Sequence, residues 1–133
     1  MITIAVVGAH LRGQPLNPQL TERDAVFEEE TETAAEYRFY ALETVPPKPG
    51  LVRVANGGAS IAVELWALDD AAFGSFVAEI PSPLGIGKLV LADGRVVPGF
   101  IVEPYALDSA VDITAFGGWR AYRASLGTPP TAR

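Results

Sequence analysis

Ile2-Thr3-Ile4-Ala5-Val6-Val7-Gly8-Ala9-His10-Leu11-Arg12-Gly13 opens this chain, and the fold is decided there. Ile2, Ile4 and Val6 alternate with Thr3, Ala5 and Val7, the period-two pattern of a β-strand with one strongly apolar face. Gly8 stops the strand. Residues 9–23 then contain Gly13, Pro15 and Pro18 and read as a loop with room for one helical turn. A loop at a strand end can aim several N–H groups at one point, which suits a carboxylate or an oxyanion. His10, the only histidine, is placed to transfer a proton near neutral pH. Arg12 can grip a carboxylate through two parallel hydrogen bonds. An ordinary strand-to-loop turn carrying a structural histidine has the same pattern, since one Gly-x-His is a weak signal.

Working outward, residues 24–33 and 35–42 carry Val26, Phe27, Thr31, Thr33, Tyr37, Phe39 and Tyr40, a density of β-branched and aromatic residues that favours two strands. Pro46, Pro47 and Pro49 end that unit. Residues 51–55 and 60–68 read as a hairpin around Asn56-Gly57-Gly58. Asp69 is a good N-cap for a helix, in which Phe73, Phe76, Val77 and Ile80 form one apolar face. Residues 89–92 and 95–103 form a second hairpin around Asp93-Gly94, and Pro98-Gly99 marks a bulge or an edge. Asp112 or Thr114 caps a last short helix with Trp119, Tyr122 and Leu126 on one side, and residues 127–133 read as a fraying tail. About seven strands and two helices, without βαβ alternation, predict an α+β fold: a small mixed or antiparallel β-barrel with a few outer helices, over residues 1–126.

Composition narrows the function. The 133 residues fit one domain, and 49% of them are apolar, enough for a real core. No window approaches the roughly 18 apolar residues of a membrane span. The start lacks the basic region of a signal peptide. The absence of cysteine excludes a disulfide framework and thiolate metal sites, and fits the cytoplasm. A net charge of −6 makes nucleic acid and anionic membranes poor partners. A small anionic substrate would need a local positive pocket. One histidine excludes a multi-histidine zinc site, and no motif supports a carboxylate-bound Mg²⁺, so neither metal nor cofactor is expected.

Three further segments bear on a site. Pro81-Ser82-Pro83-Leu84-Gly85-Ile86-Gly87 is stiffened by prolines and opened to close backbone approach by glycines, so it walls a pocket or makes a tight connection. Glu64, between Val63 and Leu65, faces away from both; it is either on the wet face, the commoner case, or buried with a partner. In Phe116-Gly117-Gly118-Trp119-Arg120 the aromatics suit a core, and Arg120 suits an anion beside a pocket. Nucleophile-elbow, P-loop, dinucleotide and zinc motifs are absent.

Together, Val7-Gly8-Ala9-His10-Leu11, Pro15-Leu16-Asn17 with Gln19-Leu20, Tyr37-Arg38, Pro49-Gly50-Leu51, Phe73-Gly74-Ser75-Phe76-Val77, Pro83-Leu84-Gly85-Ile86-Gly87 and Ile113-Thr114-Ala115-Phe116-Gly117-Gly118-Trp119-Arg120 resemble the C-terminal domain of allophanate hydrolase, in order over residues 2–124. The resemblance implies a γ-glutamyl cyclotransferase-like fold. It also implies a role downstream of an amidase, assisting decarboxylation of N-carboxycarbamate or a similar small urea-derived carboxylate. His10 becomes the catalytic candidate. Gly8, Ala9, Leu11, Arg12, Tyr37, Arg38, Glu64, Pro83, Gly85, Ile86, Gly87 and Arg120 become substrate-binding candidates, with His10, residues 83–87 and at least one of Arg12, Arg38 and Arg120 expected around one concavity. In cyclotransferases a catalytic glutamate follows a strand like Val63-Glu64-Leu65-Trp66; here that position falls on Ile80, or on Glu79 with a one-residue gap. The amidase half is missing, so the chain is expected to be a stand-alone protein or an excised domain. An amidase partner and a homodimer are both allowed. Carboxylate binding without turnover, a role in amidase assembly, and cyclotransferase activity stand as alternatives.

Overall fold

β1 (Ile2–Val6) is apolar on both faces because it lies inside a sheet that is covered on both sides; Ile4, Ala5 and Val6 are fully buried. The computed structural model describes residues 1–127. After β1 come α1 (Pro18–Thr21), β2 (Val26–Glu32), β3 (Tyr37–Leu42), β4 (Lys48–Arg53), β5 (Ala62–Leu68), α2 (Asp70–Ala78), β6 (Leu84–Val90), β7 (Val96–Val102), β8 (Val111–Asp112) and α3 (Trp119–Gly127), with 3-10 turns at Pro104–Ser109 and Thr114–Phe116. Two sheets form, a five-stranded one in the order β2-β5-β1-β7-β6 and a three-stranded one in the order β4-β3-β8.

The α+β class stands, and the sheet is mixed: β1 is antiparallel to β5 and parallel to β7. Barrel is too strong a word. The edge strands β2 and β6 meet only through one bridge beyond their ends, Thr33 opposite Leu91, with hydrogen bonds from Ala34 N–H to Val90 C=O and from Ala92 N–H to Glu32 C=O. The large sheet therefore curls without closing.

Local signals hold where pairing is local. Asp69 accepts the Ala72 N–H at 2.7 Å and caps α2. β6 and β7 form the hairpin expected around Asp93-Gly94, with Gly94 at φ 92°. Non-local pairing overrides the other expectations. Residues 51–55 and 60–68 do not form a hairpin: β4 pairs with β3, while β5 lies between β1 and β2. Gly57, at φ 76°, still makes the turn, but Gly58 packs against the backbone of Glu36 and Tyr37 and directs the chain to the other sheet. β7 is interior rather than an edge, and a side chain at Gly99 would collide with Leu89 and crowd Ala5. Asp112 accepts the Thr114 N–H from the end of β8 and does not cap α3, while Leu126 is exposed instead of joining Trp119 in the core. Gly127 ends α3, and the rest of the expected tail lies outside the described residues. Among the described residues no helix is long and apolar enough to cross a membrane.

The small sheet is laid across the large one by glycines. A Cβ on Gly8 would overlap the ring of Pro49, and one on Gly50 would overlap Val102. β4 thus runs directly against the end of β1 and against β7, and Lys48 arrives beside the loop that follows β1.

Candidate functional site

The loop after β1 is built by satisfying its own carbonyls. Gly8 C=O accepts from Leu11 N–H, Ala9 C=O from Leu16 N–H, and Leu11 C=O from Gln14 N–H. Asn17 Nδ2 donates to His10 C=O at 2.9 Å, and Arg120 Nη2 donates to Arg12 C=O at 2.7 Å. Of the N–H groups expected to point at a substrate, Leu11 and Arg12 are already taken, by Gly8 and by Glu64. The N–H groups of Ala9 and His10 have no acceptor among the described residues.

His10 is buried, and its ring stacks on Phe100 and meets Phe76 edge-on, each at 5.1 Å between centroids. Its Nε2 lies 2.8 Å from Gln19 Oε1, so Nε2 carries the proton and Nδ1 is the free acceptor. Burial lowers the His10 pKa; the Gln19 bond opposes this and nearby Lys48 adds to it. The imidazole is therefore neutral at pH 7, which disfavours the protonated form that a proton donor needs.

A small cavity of about 170 Å³ opens on this ring, walled by His10, Gln19, Lys48, Ile80, Leu84 and Phe100. Ala9, His10 and Lys48 also line a recess that adjoins it. Lys48 is the cation of the site. Only 8% of it is exposed, and among the described residues it has neither an ion-pair partner nor a side-chain hydrogen bond. Since among the described residues no fully buried side-chain nitrogen or oxygen lacks a partner, its Nζ must look into accessible space. Burial lowers its pKa. Sequence reasoning missed it, because Pro47-Lys48-Pro49 reads as the end of a unit. The available signal was a lone lysine held extended between prolines beside an apolar run.

The expected site residues are thus divided. Of residues 83–87, only Leu84 reaches the cavity with His10; Pro83 borders a different surface hollow, and Gly87 packs on Ile101. Gly85 and Ile86 pair with Ile101 and Phe100 in the hairpin. None of the three arginines lines the cavity, because each is held elsewhere by a carboxylate. Arg38 is bound at the surface to Asp112 at 2.7 Å and to Gly57 C=O. Arg12 and Arg120 converge on Glu64, which is buried with partners, not on the wet face. Burial alone would raise the Glu64 pKa, yet hydrogen bonds from Arg12 N–H, Arg120, Trp66 and the Arg12 side chain hold it below the usual value. Tyr37 is a core residue whose hydroxyl accepts the Val90 N–H at 2.9 Å. Glu79 reaches the cavity wall, but its carboxylate pairs with Arg23 at 3.1 Å and is mostly exposed, a poor setting for a cyclotransferase base. Among the described residues no group of three His, Cys, Asp or Glu side chains could hold a metal.

The open two-sheet architecture has the γ-glutamyl cyclotransferase-like fold. An AIG2-like protein of Mus musculus shares the fold alone, at TM-score 0.61 and 20% identity over 80% of this chain and 82% of that one. Within that class the chain belongs to the allophanate hydrolase C-terminal domain family, whose model matches residues 2–124. It is 42% identical over 126 residues to urea amidolyase of Saccharomyces cerevisiae, covering 91% of this chain and 7% of that one. Kluyveromyces lactis allophanate hydrolase superposes at TM-score 0.90 and 42% identity, over 94% of this chain and 21% of that one. A uropathogenic E. coli-specific protein matches at TM-score 0.87 and 36% identity, over 92% of this chain and 95% of that one. The chain therefore corresponds to a small part of the urea amidolyase relatives and to nearly all of the bacterial protein.

Proposed function

We propose that this chain binds a small urea-derived dicarboxylate at Lys48 and promotes its decarboxylation, acting in the cytoplasm on the product of an amidase. The observation that carries the reading is Lys48, which has a buried stem and no ion-pair partner among the described residues, beside His10 in a cavity suited to a very small ligand. The stem of Lys48 is buried and its ammonium opens into this cavity, where an anion would find the only positive charge on the wall. N-carboxycarbamate, the amidase product that family membership suggests, would supply one carboxylate to Lys48 and to the free N–H groups of Ala9 and His10. In the reaction the bond between nitrogen and the departing carboxylate breaks. Its electron pair stays on nitrogen, a proton passes from the Lys48 ammonium to that nitrogen, and CO₂ and carbamate leave. The lysine regains its proton from water. Neutral His10 orients the substrate, accepting its N–H at Nδ1. Lys48 is thus the proton donor and His10 the hydrogen-bonding partner, whereas the family resemblance puts His10 forward as the catalytic residue.

The test is CO₂ release from allophanate turned over by an amidase, with and without this chain. Acceleration is expected, and Lys48→Met should remove it, a loss of about 10²-fold or more if the lysine is the acid. Malonate, in which CH₂ replaces NH, should bind wild type and not Lys48→Met. No acceleration by the wild-type chain would overturn the decarboxylase; malonate binding without acceleration would leave a carboxylate-binding domain.

A further inference from the structure

Glu64 is 1% exposed and takes four donors: Arg12 N–H at 2.9 Å, Arg12 Nε at 3.1 Å, Trp66 Nε1 at 3.2 Å and Arg120 Nη2 at 2.9 Å. The same Arg120 Nη2 donates to Arg12 C=O. Residue 12 is therefore held at both ends of its backbone, its N–H by Glu64 and its C=O by Arg120. Arg12 is further pinned over the Phe27 ring at 3.8 Å and to Glu30 at 3.0 Å. These anchors come from β5, β2 and α3, so three elements fix one loop residue two positions from His10.

A buried ion pair is a poor device for stability, since well-packed apolar side chains commonly do as well. What it supplies is a defined geometry. With the carbonyls of residues 8–12 all occupied, the loop has few ways to turn, and the Ala9 and His10 N–H groups are the ones left over.

We propose that Glu64 and Arg120 are positioning residues for the His10 cavity: they lock Arg12 so that the Ala9 and His10 N–H groups stay fixed for a carboxylate, and they make ligand binding depend on the seating of α3. This rests on the carboxylate-binding reading above. Neither residue lines the cavity, so the effect passes through the loop alone.

The experiment compares wild type, Arg120→Met and Glu64→Gln by malonate calorimetry, by the thermal midpoint, and by amide resonances of Ala9 and His10 in the free proteins. Arg120→Met leaves an exposed helix position apolar and is the variant certain to test the idea if Glu64→Gln fails to fold. The expected result is displaced Ala9 and His10 resonances in Arg120→Met and malonate binding weakened by at least about tenfold while the protein stays folded, its midpoint lowered by the loss of one donor to Glu64, which Arg12 still pairs. Wild-type affinity with unmoved resonances would overturn the positioning role and leave the carboxylate site standing. If wild type itself does not bind malonate, the carboxylate reading falls, and unmoved resonances in Arg120→Met would overturn the positioning role as well.

Discussion

His10 can be followed by NMR without ambiguity, because no other histidine contributes a signal. Its ring should titrate below the ordinary 6.5, since burial between Phe76 and Phe100 disfavours the charged form. The sign for stability follows. Between the depressed folded value and 6.5 the unfolded chain binds more protons than the folded one. Stability is therefore fully present above 6.5 and falls as the pH drops through that window. In His10→Asn this part of the pH dependence should vanish, and the difference between the two melting profiles from pH 7 to 5 measures it. A wild-type ring that titrates at or above 6.5 would contradict the buried neutral imidazole. His10 was legible in the sequence because a histidine after a strand-ending glycine stands out. The roles of Arg12, Arg120 and Glu64 were not, because residue type does not tell whether a guanidinium faces a ligand or a carboxylate of its own chain.

Lys48 reaches the cavity because β4 lies on the end of β1, and that contact depends on Gly8. In Gly8→Ala the new methyl would overlap the ring of Pro49, which has no flexible end to swing away. Overpacking of this kind costs about 1–3 kcal/mol. Here it should also push Lys48 away from His10, so malonate affinity should fall by more than the loss in urea midpoint explains. An unchanged midpoint would mean that β4 can slide without cost. The elements themselves were largely readable: the first strand, the helix after Asp69 and the hairpin at Asp93-Gly94 each follow from signals within a few residues. The hairpin expected at Asn56-Gly57-Gly58 failed because a turn signal reports where the chain bends and not which strand it meets next. β5 buries six of its seven residues by pairing with β1 and β2 on its two sides, a gain that β4 alone does not offer.

At the scale of the whole molecule, the curled sheet is held at its open seam by Thr33. This fully buried residue receives Ile61 N–H on its hydroxyl at 3.0 Å, and its backbone bridges to Leu91. Thr33→Val keeps the shape and removes the acceptor, leaving a buried N–H unpaired at a cost of about 1–3 kcal/mol. Urea denaturation should show that loss, and a variant as stable as wild type would mean that the Thr33–Ile61 hydrogen bond contributes nothing. The central pairings join distant residues, Ile2 with Leu68 and Ala5 with Gly99, whereas the β3–β4 and β6–β7 pairs are near neighbours in the chain. Non-local pairings bear the larger loop-closure cost and set the pace of folding. The β1–β7 pairing brings His10 to Leu84 and Phe100, and the packing of β4 across β1 and β7 adds Lys48. A chain that has formed its hairpins alone possesses no cavity, so a small carboxylate recognises only the finished molecule and, by mass action, draws unfolded chains toward it.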